Sequence, residues 1–261
     1  MTKDKLVNSL LKGLGILEAF TPSQFSLSFQ ELTMKTGFPK TTVFRFLRTL
    51  TSHGYLSLDS KSKKYFLGPR VMSLGFTVLS GMDLKNVALP YLEELARLSD
   101  QNVNLAILDK TEVVLIERLK KWQILDFNIQ VGGRLNCYQT SMGRAILAFS
   151  NQKKFLSILN VLLKNREAVR HIGPKGAKLI KKLKEARLKG YALNDEELIK
   201  GLRSIAAPIF NAQGDVEGAI NIPVFNHMVS REELIERYAP LLIKTARNIS
   251  AARGLTDQEL G

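Results

Sequence analysis

A single cysteine, Cys137, stands in a chain of 261 residues, so an intrachain disulfide, a disulfide framework and a cysteine-rich zinc site are all excluded. A reducing compartment suits such a chain. Histidine is scarce too: in the last two thirds only His171 and His227 occur, far apart, without metal-ligand spacing and without a nucleophile motif beside them. No uncharged apolar run of about 18 or more residues is present that could span a bilayer. The opening MTKDKLVNSLLKGLGILEAF has an early lysine pair, but Asp4, Asn8 and Lys12 interrupt its apolar residues and no small-residue cleavage pattern follows. A soluble, cytoplasmic protein without metal or other cofactor, and without a membrane partner, is the expectation.

Motifs of catalysis are missing too. GLGILE, residues 13–18, lacks the third glycine of G-x-G-x-x-G and no strand precedes it. Ser141 in TSMGR lacks the G-x-S-x-G elbow. The three adjacent carboxylates of NDEE, residues 194–197, read as solvated acids at a turn. No catalytic residue is assigned; an enzyme acting on a small organic acid is the lesser alternative.

Positive charge is what the chain has in excess. The formal net charge is +14, and residues 1–80 hold eight Lys and three Arg against two Asp and two Glu, a net +7 that leaves +7 for the other 181 residues. The first third is thus about twice as basic per residue, which favours a polyanion, either nucleic acid or an acidic membrane surface. With 45% hydrophobic and 24% charged residues the chain is an ordinary globular one, and its length suits two domains.

In the first third, Leu10, Leu14, Leu17 and Phe20 have helical spacing and predict a first helix from about Ser9 with that face buried. Ser28 and Glu31 form an S-x-x-E capping box opening a second helix, which Gly37 closes. Pro39 suits the first turn of a third. On that third helix Val43, Phe46, Leu47 and Leu50 share one face, while Thr41, Thr42, Arg45, Arg48, Thr49 and Ser52 fall mostly on the other. Arginine can bond guanine edges or phosphate in parallel pairs, and threonine can contact backbone or a thymine methyl. Two apolar runs, 55–58 and 65–67, then flank a tip carrying Lys61, Lys63 and Lys64, as in a wing lying along phosphates. Capped helix, short turn, amphipathic helix and basic hairpin together point to double-stranded DNA. The residues expected to face it are Ser28, Lys40, Thr41, Thr42, Arg45 and Arg48, with Lys61, Lys63 and Lys64 on the wing.

The remainder predicts a helical connector over 70–80 and a helix over 83–98 bent at Pro90, then strands over 103–108, 113–119 and 124–131. Helices follow over 140–149, 152–163 and 175–189, strands over 203–210 and 216–224, and a last helix over 230–253. The short links predict a mainly antiparallel sheet. The basic run with Lys175, Lys178, Lys181, Lys182, Lys184, Arg187 and Lys189 reads as a solvated helix, a second DNA contact being the lesser alternative. At the start of the helix after VGGRLNCYQ, unpaired N–H groups near Ser141, Met142 and Gly143 could receive an anion. Ala219, Asn221 and Pro223 share a strand face by period two, placing an amide in an apolar sheet, to be satisfied by a ligand or internally.

The whole chain resembles the IclR family of bacterial transcriptional regulators. KGLGILEAF, ELTMKTGFPKTTVFRFLRTLTSHGYL and YFLGPRVMSLG are similar to its winged helix-turn-helix; GGRLNCYQTSMGRAILAF, KGYALNDEELIKGLRSIAAPIF and GAINI are similar to its GAF-like effector domain. The resemblance implies an α+β protein: a winged helix-turn-helix over 1–69, a linker helix over 70–82, and over 83–261 a GAF-like effector-binding domain with a mainly antiparallel sheet. It implies homodimers, with pairing into tetramers, that bind palindromic operators and respond to small metabolites. By matched motif position it implies Phe127, Leu135, Ser141, Met142, Asn194, Ser204, Asn221 and Pro223 as effector-binding residues. Met142 stands where relatives have a small residue, and Asn194 where an Asp can occur. GRLNCYQTSMGRAILA and GYALNDEELIKGLRSIAAPI are most similar to the branch controlling aromatic acid catabolism through protocatechuate, β-ketoadipate or 4-hydroxybenzoate, although Asn136 and Cys137 fall where that branch often has Pro and Ala. An aromatic or dicarboxylic acid effector is thus implied; a regulator of another carbon source with a non-aromatic effector is the alternative.

Overall fold

The computed structural model describes residues 6–21, 23–80, 82–121 and 129–255, which divide into two units, Met1–Gly81 and Met82–Gly261. In the first, α1 (Asn8–Glu18), α2 (Phe29–Thr36) and α3 (Lys40–Ser52) surround a small core of Ile16, Leu32, Val43, Leu47 and Leu56. The capping box forms in full: the Ser28 hydroxyl accepts from Glu31 N at 3.3 Å, and Glu31 Oε2 accepts from Ser28 N at 2.7 Å. That backbone bond holds the Glu31 carboxyl below its usual range. Gly37, at φ 68°, ends α2 in the left-handed conformation that glycine adopts without strain. Pro39 stands one position earlier than expected, as the N-cap of α3, its carbonyl accepting from Thr42 and Val43 N.

The buried face of α1 differs from expectation. Of Leu10, Leu14, Leu17 and Phe20 only Phe20 is buried; Leu10 and Leu14 are 62% and 44% exposed, Leu17 is half-buried, and Ile16 and Ala19 complete the inward line. The helix is apolar on more than one side, and α2 and α3 cover only one of them. The hairpin of β2 (Leu56–Leu58) and β3 (Lys64–Leu67) gains a third strand, β1 (Ser26–Ser28), in the antiparallel order β1-β3-β2. Helix α4 (Pro69–Ser80) follows.

In the second unit, α5 (Asp83–Ser99, with Pro90 inside it) leads to β4 (Val103–Asp109) and β5 (Glu112–Leu119). Then come β6 (Arg134–Asn136), α6 (Ser141–Phe149), α7 (Gln152–Leu162), α8 (Arg166–Ile172) and α9 (Ala177–Lys189). The strands β7 (Ala192–Asp195), β8 (Leu202–Phe210) and β9 (Val216–Phe225) complete one antiparallel sheet in the order β6-β5-β4-β9-β8-β7. Of the strand expected over 124–131, residues 122–128 lie outside the described residues; 129–131 are irregular and the strand beside β5 is β6. The helix expected over 230–253 is interrupted: α10 (Arg231–Glu233) passes through a π-helical turn, Leu234–Tyr238, into α11 (Ala239–Ala252).

Alternation of period two divides the sheet. Ala106, Val113, Leu115, Ala206 and Ala219 face α6, behind which α9 packs, whereas α5 and α11 pack on each other and on the sheet. Helix α6 is buried from Ser141 to Ala148. It sits so close to the preceding turn that a Cβ at Gly143 would meet Cys137 O at 2.2 Å, a distance only glycine avoids. Burial pushes the Cys137 thiol up to about 12, so it stays protonated and inert at neutral pH. Among the described residues no helix is long and apolar enough to cross a membrane, and no group of His, Cys, Asp or Glu is placed to hold a metal ion.

Candidate functional site

Helix α3 presents two faces, as its sequence predicts. Val43 and Leu47 are sealed in the core and Phe46 and Leu50 pack against it, while Lys40, Thr41, Arg45, Arg48 and Thr49 are exposed and Thr42 is half-buried. Ser9 and Lys12 of α1 share a groove with Thr42, Arg45, Phe46 and Thr49, a neighbour the sequence pattern gave no reason to suspect. Ser28 accepts in its cap, which fixes its hydroxyl oxygen but leaves the hydroxyl proton to offer an acceptor.

At the wing tip the Asp59 carboxylate accepts from the Ser62 hydroxyl at 2.5 Å and Ser62 N at 2.8 Å; these bonds hold it below the ordinary carboxylate range and fix the turn. Lys61 and Lys63 are exposed there, Lys63 at φ 55°. Lys64 lies on β3 opposite Ser28, half-buried and near enough to Glu31 to lower that carboxyl further, so it is less free than the other two.

The second unit holds a cavity at the start of α6, with about 60 Å³ of room for the centres of water-sized groups. Leu135, Ser141, Met142, Ser204, Asn221 and Pro223 line it. Asn194, expected there, does not: its amide donates to Gln139 O and accepts from Glu197 N at 3.3 Å, so it ties the turn before α6 to the turn after β7. Phe127 lies outside the described residues.

Two adjacent cross-strand rows place the polar groups. Asn104 faces Asn221 across β4 and β9, and Pro223 faces Ser204 across β9 and β8. Asn104 Nδ2 donates to Asn221 Oδ1 at 2.8 Å, so the amide flagged in the sequence has an internal partner. The pair leaves a residue: Asn104 Oδ1 is buried with no donor among the described residues. Ser141 Oγ and Ser204 Oγ lie 2.8 Å apart; whichever donates, the other keeps a proton to offer.

Thr140 caps α6, its Oγ1 accepting from Gly143 N at 3.0 Å, so Gly143 is not one of the free donors. The N–H groups of Ser141 and Met142 begin the helix and have no intrahelical acceptor, at the positive end of the helix dipole. Arg118, paired with Asn104 across β4 and β5, also lines the cavity and donates to Ile129 O. It is the one charged side chain among the described lining residues, beside Val113, Leu115, Ile129, Leu198 and Leu202. Asn102, Asn104 and Arg118 were not singled out in the sequence; the available signal was a polar residue recurring within apolar strand runs.

NDEE is not the solvated turn expected. Asp195 pairs with Arg203 at 2.6 Å, Glu196 accepts from Asn226 at 2.8 Å and Gly201 N at 3.0 Å, and Glu197 is gripped by Arg144 at 2.9 and 2.8 Å. Arg144, 4% exposed on α6, also donates to Tyr138 O at 3.0 Å and Leu193 O at 3.1 Å. The acids therefore fix the rim of the cavity. No histidine, cysteine or carboxylate is among its described lining residues, so none of these stands there to activate the hydroxyls of Thr140, Ser141 or Ser204.

Comparison with known proteins accords with this division. Residues 9–60 match the model of the IclR helix-turn-helix domain, and residues 76–251 that of the bacterial transcriptional regulator IclR C-terminal region. The Pca regulon regulatory protein of Pseudomonas putida is 33% identical over 93% of this chain and 83% of its own length. The HTH-type transcriptional regulator KdgR of Escherichia coli (strain K12) is 32% identical over 96% of this chain and 94% of its own. An IclR family transcriptional regulator from Brucella abortus has a crystal structure that matches at a TM-score of 0.80 and 30% identity, covering 96% of this chain and 94% of that one.

Proposed function

This chain belongs to the IclR family of bacterial transcriptional regulators, and on that premise we propose that it switches its hold on a palindromic operator when a small carboxylate fills the cavity at α6. Arg45 and Arg48, with Lys40, Thr41 and Thr42, enter the major groove, and Lys61 and Lys63 follow phosphates. Ser28 offers its hydroxyl proton to a phosphate, and Lys64 contributes less, being half-buried beside Glu31. The exposed apolar residues Leu10 and Leu14 of α1 and Met72, Leu74 and Val78 of α4 support a homodimer, whose twofold axis a palindrome mirrors. Dimers pair further into tetramers in this reading, the site of action is the cytoplasm, and the boundaries are 1–69 for the DNA-binding domain, 70–82 for the linker and 83–261 for the effector domain.

The observation that carries the ligand's chemistry is the convergence, in a mostly apolar cavity, of Arg118 with the free N–H groups and shared hydroxyl proton at Ser141. A carboxylate would accept from those N–H groups and that hydroxyl proton, beside the positive charge of Arg118, which also donates to Ile129 O. An aromatic body suits the Leu, Ile, Val and Pro lining, and a ring hydroxyl would donate to Asn104 Oδ1. The near-equal identity to the Pca regulon protein and to KdgR keeps a non-aromatic acid as the second reading. Binding favours one arrangement of the DNA-binding heads over another, a shift of population.

Calorimetry with hydroxybenzoates, dicarboxylates and their neutral amides tests this. The acids are expected to bind, and Arg118→Gln to weaken them by about 10- to 100-fold, the worth of a hydrogen bond to a charged group at about 1.5–3 kcal/mol. Amides binding as tightly as the acids would refute the anion reading.

A further inference from the structure

Within the second unit the charge is concentrated. Residues 151–191 contain twelve Lys and Arg against two Glu, a net +10; with +7 in residues 1–80, the rest of the chain sums to −3 of the total +14. These residues build α7, α8 and α9. Among the described residues, Lys182 alone of the twelve basic side chains lies within ion-pair distance of a carboxylate, that of Glu197. Like charges at this density repel one another, and an opposing polyanion relieves the repulsion.

Helix α9 is where the charge is aligned. Leu179, Leu183 and Ala186 are buried in the core, while Lys178, Lys181, Lys184 and Lys189 are exposed. At 3.6 residues per turn these four fall within an arc of about 140°, where Glu185 is the one exposed acid among them, and span roughly 16 Å along the axis. Phosphates on one DNA strand recur every ~3.4 Å, so the row matches about five of them. Lysine supplies a point charge on a flexible stem, which binds phosphate without reading sequence. The apolar side of α9 is already buried in the core and is not available to enter a bilayer. Leu188 is the one large apolar side chain exposed in the arc, too little for the desolvated anchors of a protein interface.

We propose that the lysine face of α9 is a second, sequence-independent contact to duplex DNA, made by the effector-binding unit. It rests on the DNA-binding reading above but not on α3 or the wing. The test uses the full chain carrying Lys178→Gln, Lys181→Gln, Lys184→Gln and Lys189→Gln, with Lys182 left in its ion pair. Affinity for a random-sequence duplex is measured across salt, beside a Lys61→Gln, Lys63→Gln wing variant and after confirming an unchanged thermal transition. At about 0.9 per phosphate contact, the slope of log affinity against log salt is expected to fall by about 3 to 4 for the α9 variant and by about 2 for the wing variant. A loss in the wing variant alone would overturn the second contact while leaving the DNA reading intact; no loss in either would overturn both. Sedimentation with phosphatidylserine vesicles that the α9 substitutions abolish, with the DNA slope unchanged, would assign the face to a membrane and overturn the proposal.

Discussion

Replacing Arg144 by Met is expected to cost about 3 kcal/mol of stability in the second unit, the lower end of what breaking a buried ion pair costs, because Glu197 is one-third exposed and can rehydrate. The guanidinium satisfies Tyr138 O, Leu193 O and both Glu197 oxygens, and methionine replaces its length but none of its donors. Denaturant titration reads the loss. Ligand affinity should fall with it, since α6 carries Ser141 and Met142 and the turn held by Glu197 carries Leu198, all lining the cavity. The pH dependence has a definite sign. Burial pushes the Glu197 carboxyl up, but Arg144 and Lys182 outweigh it and hold the carboxyl below its ordinary range. Its contribution is therefore present above the unfolded value and drains as pH falls through the folded one. The Arg144→Met variant should lose most of that acid dependence; an unchanged acid profile with unchanged stability would show that the network does not hold the rim.

Arg45→Ala combined with Arg48→Ala is expected to reduce the preference for the operator over random duplex by about 5- to 150-fold for each arginine that reads a base, from about 1–3 kcal/mol per bidentate pair. Both side chains are exposed on a helix whose Val43 and Leu47 stay sealed, so the substitutions leave the fold of the first unit in place. Lys63→Gln should weaken operator and random DNA by the same factor, because a phosphate contact carries no sequence information. Equal losses on both DNAs for the arginine variants would remove them as readers.

How far the sequence led depended on the range of the interaction. The capping box of Ser28 and Glu31 and the glycine closing α2 are settled within a few residues, so they were legible. The two faces of α3 were legible for the same reason. Periodicity says that an apolar stripe wants cover but not what supplies it, which is why Leu10 and Leu14 were misplaced. Strands β1 and β7 are too short to show alternation and exist because β3 and β8 pair with them. Arg144 and Glu197 are 53 positions apart, and nothing local distinguishes a clamped acid from a solvated one. In the cavity the amide of Asn221 was visible as an oddity, but its partner Asn104 lies 117 positions away. Asn194 was carried over by resemblance, and its bonds to Gln139 and Glu197 place it in the scaffold beside the cavity.

The most direct measurement is the affinity of the full chain for its operator with and without a saturating acid that calorimetry shows to bind. A coupled regulator should change affinity by about 5- to 150-fold, corresponding to about 1–3 kcal/mol between the two sites, and Arg118→Gln should shift the acid concentration needed for the change upward by the factor that calorimetry finds. An operator affinity indifferent to the bound acid, or steady conversion of the acid into product, would contradict a cavity that serves to switch DNA binding.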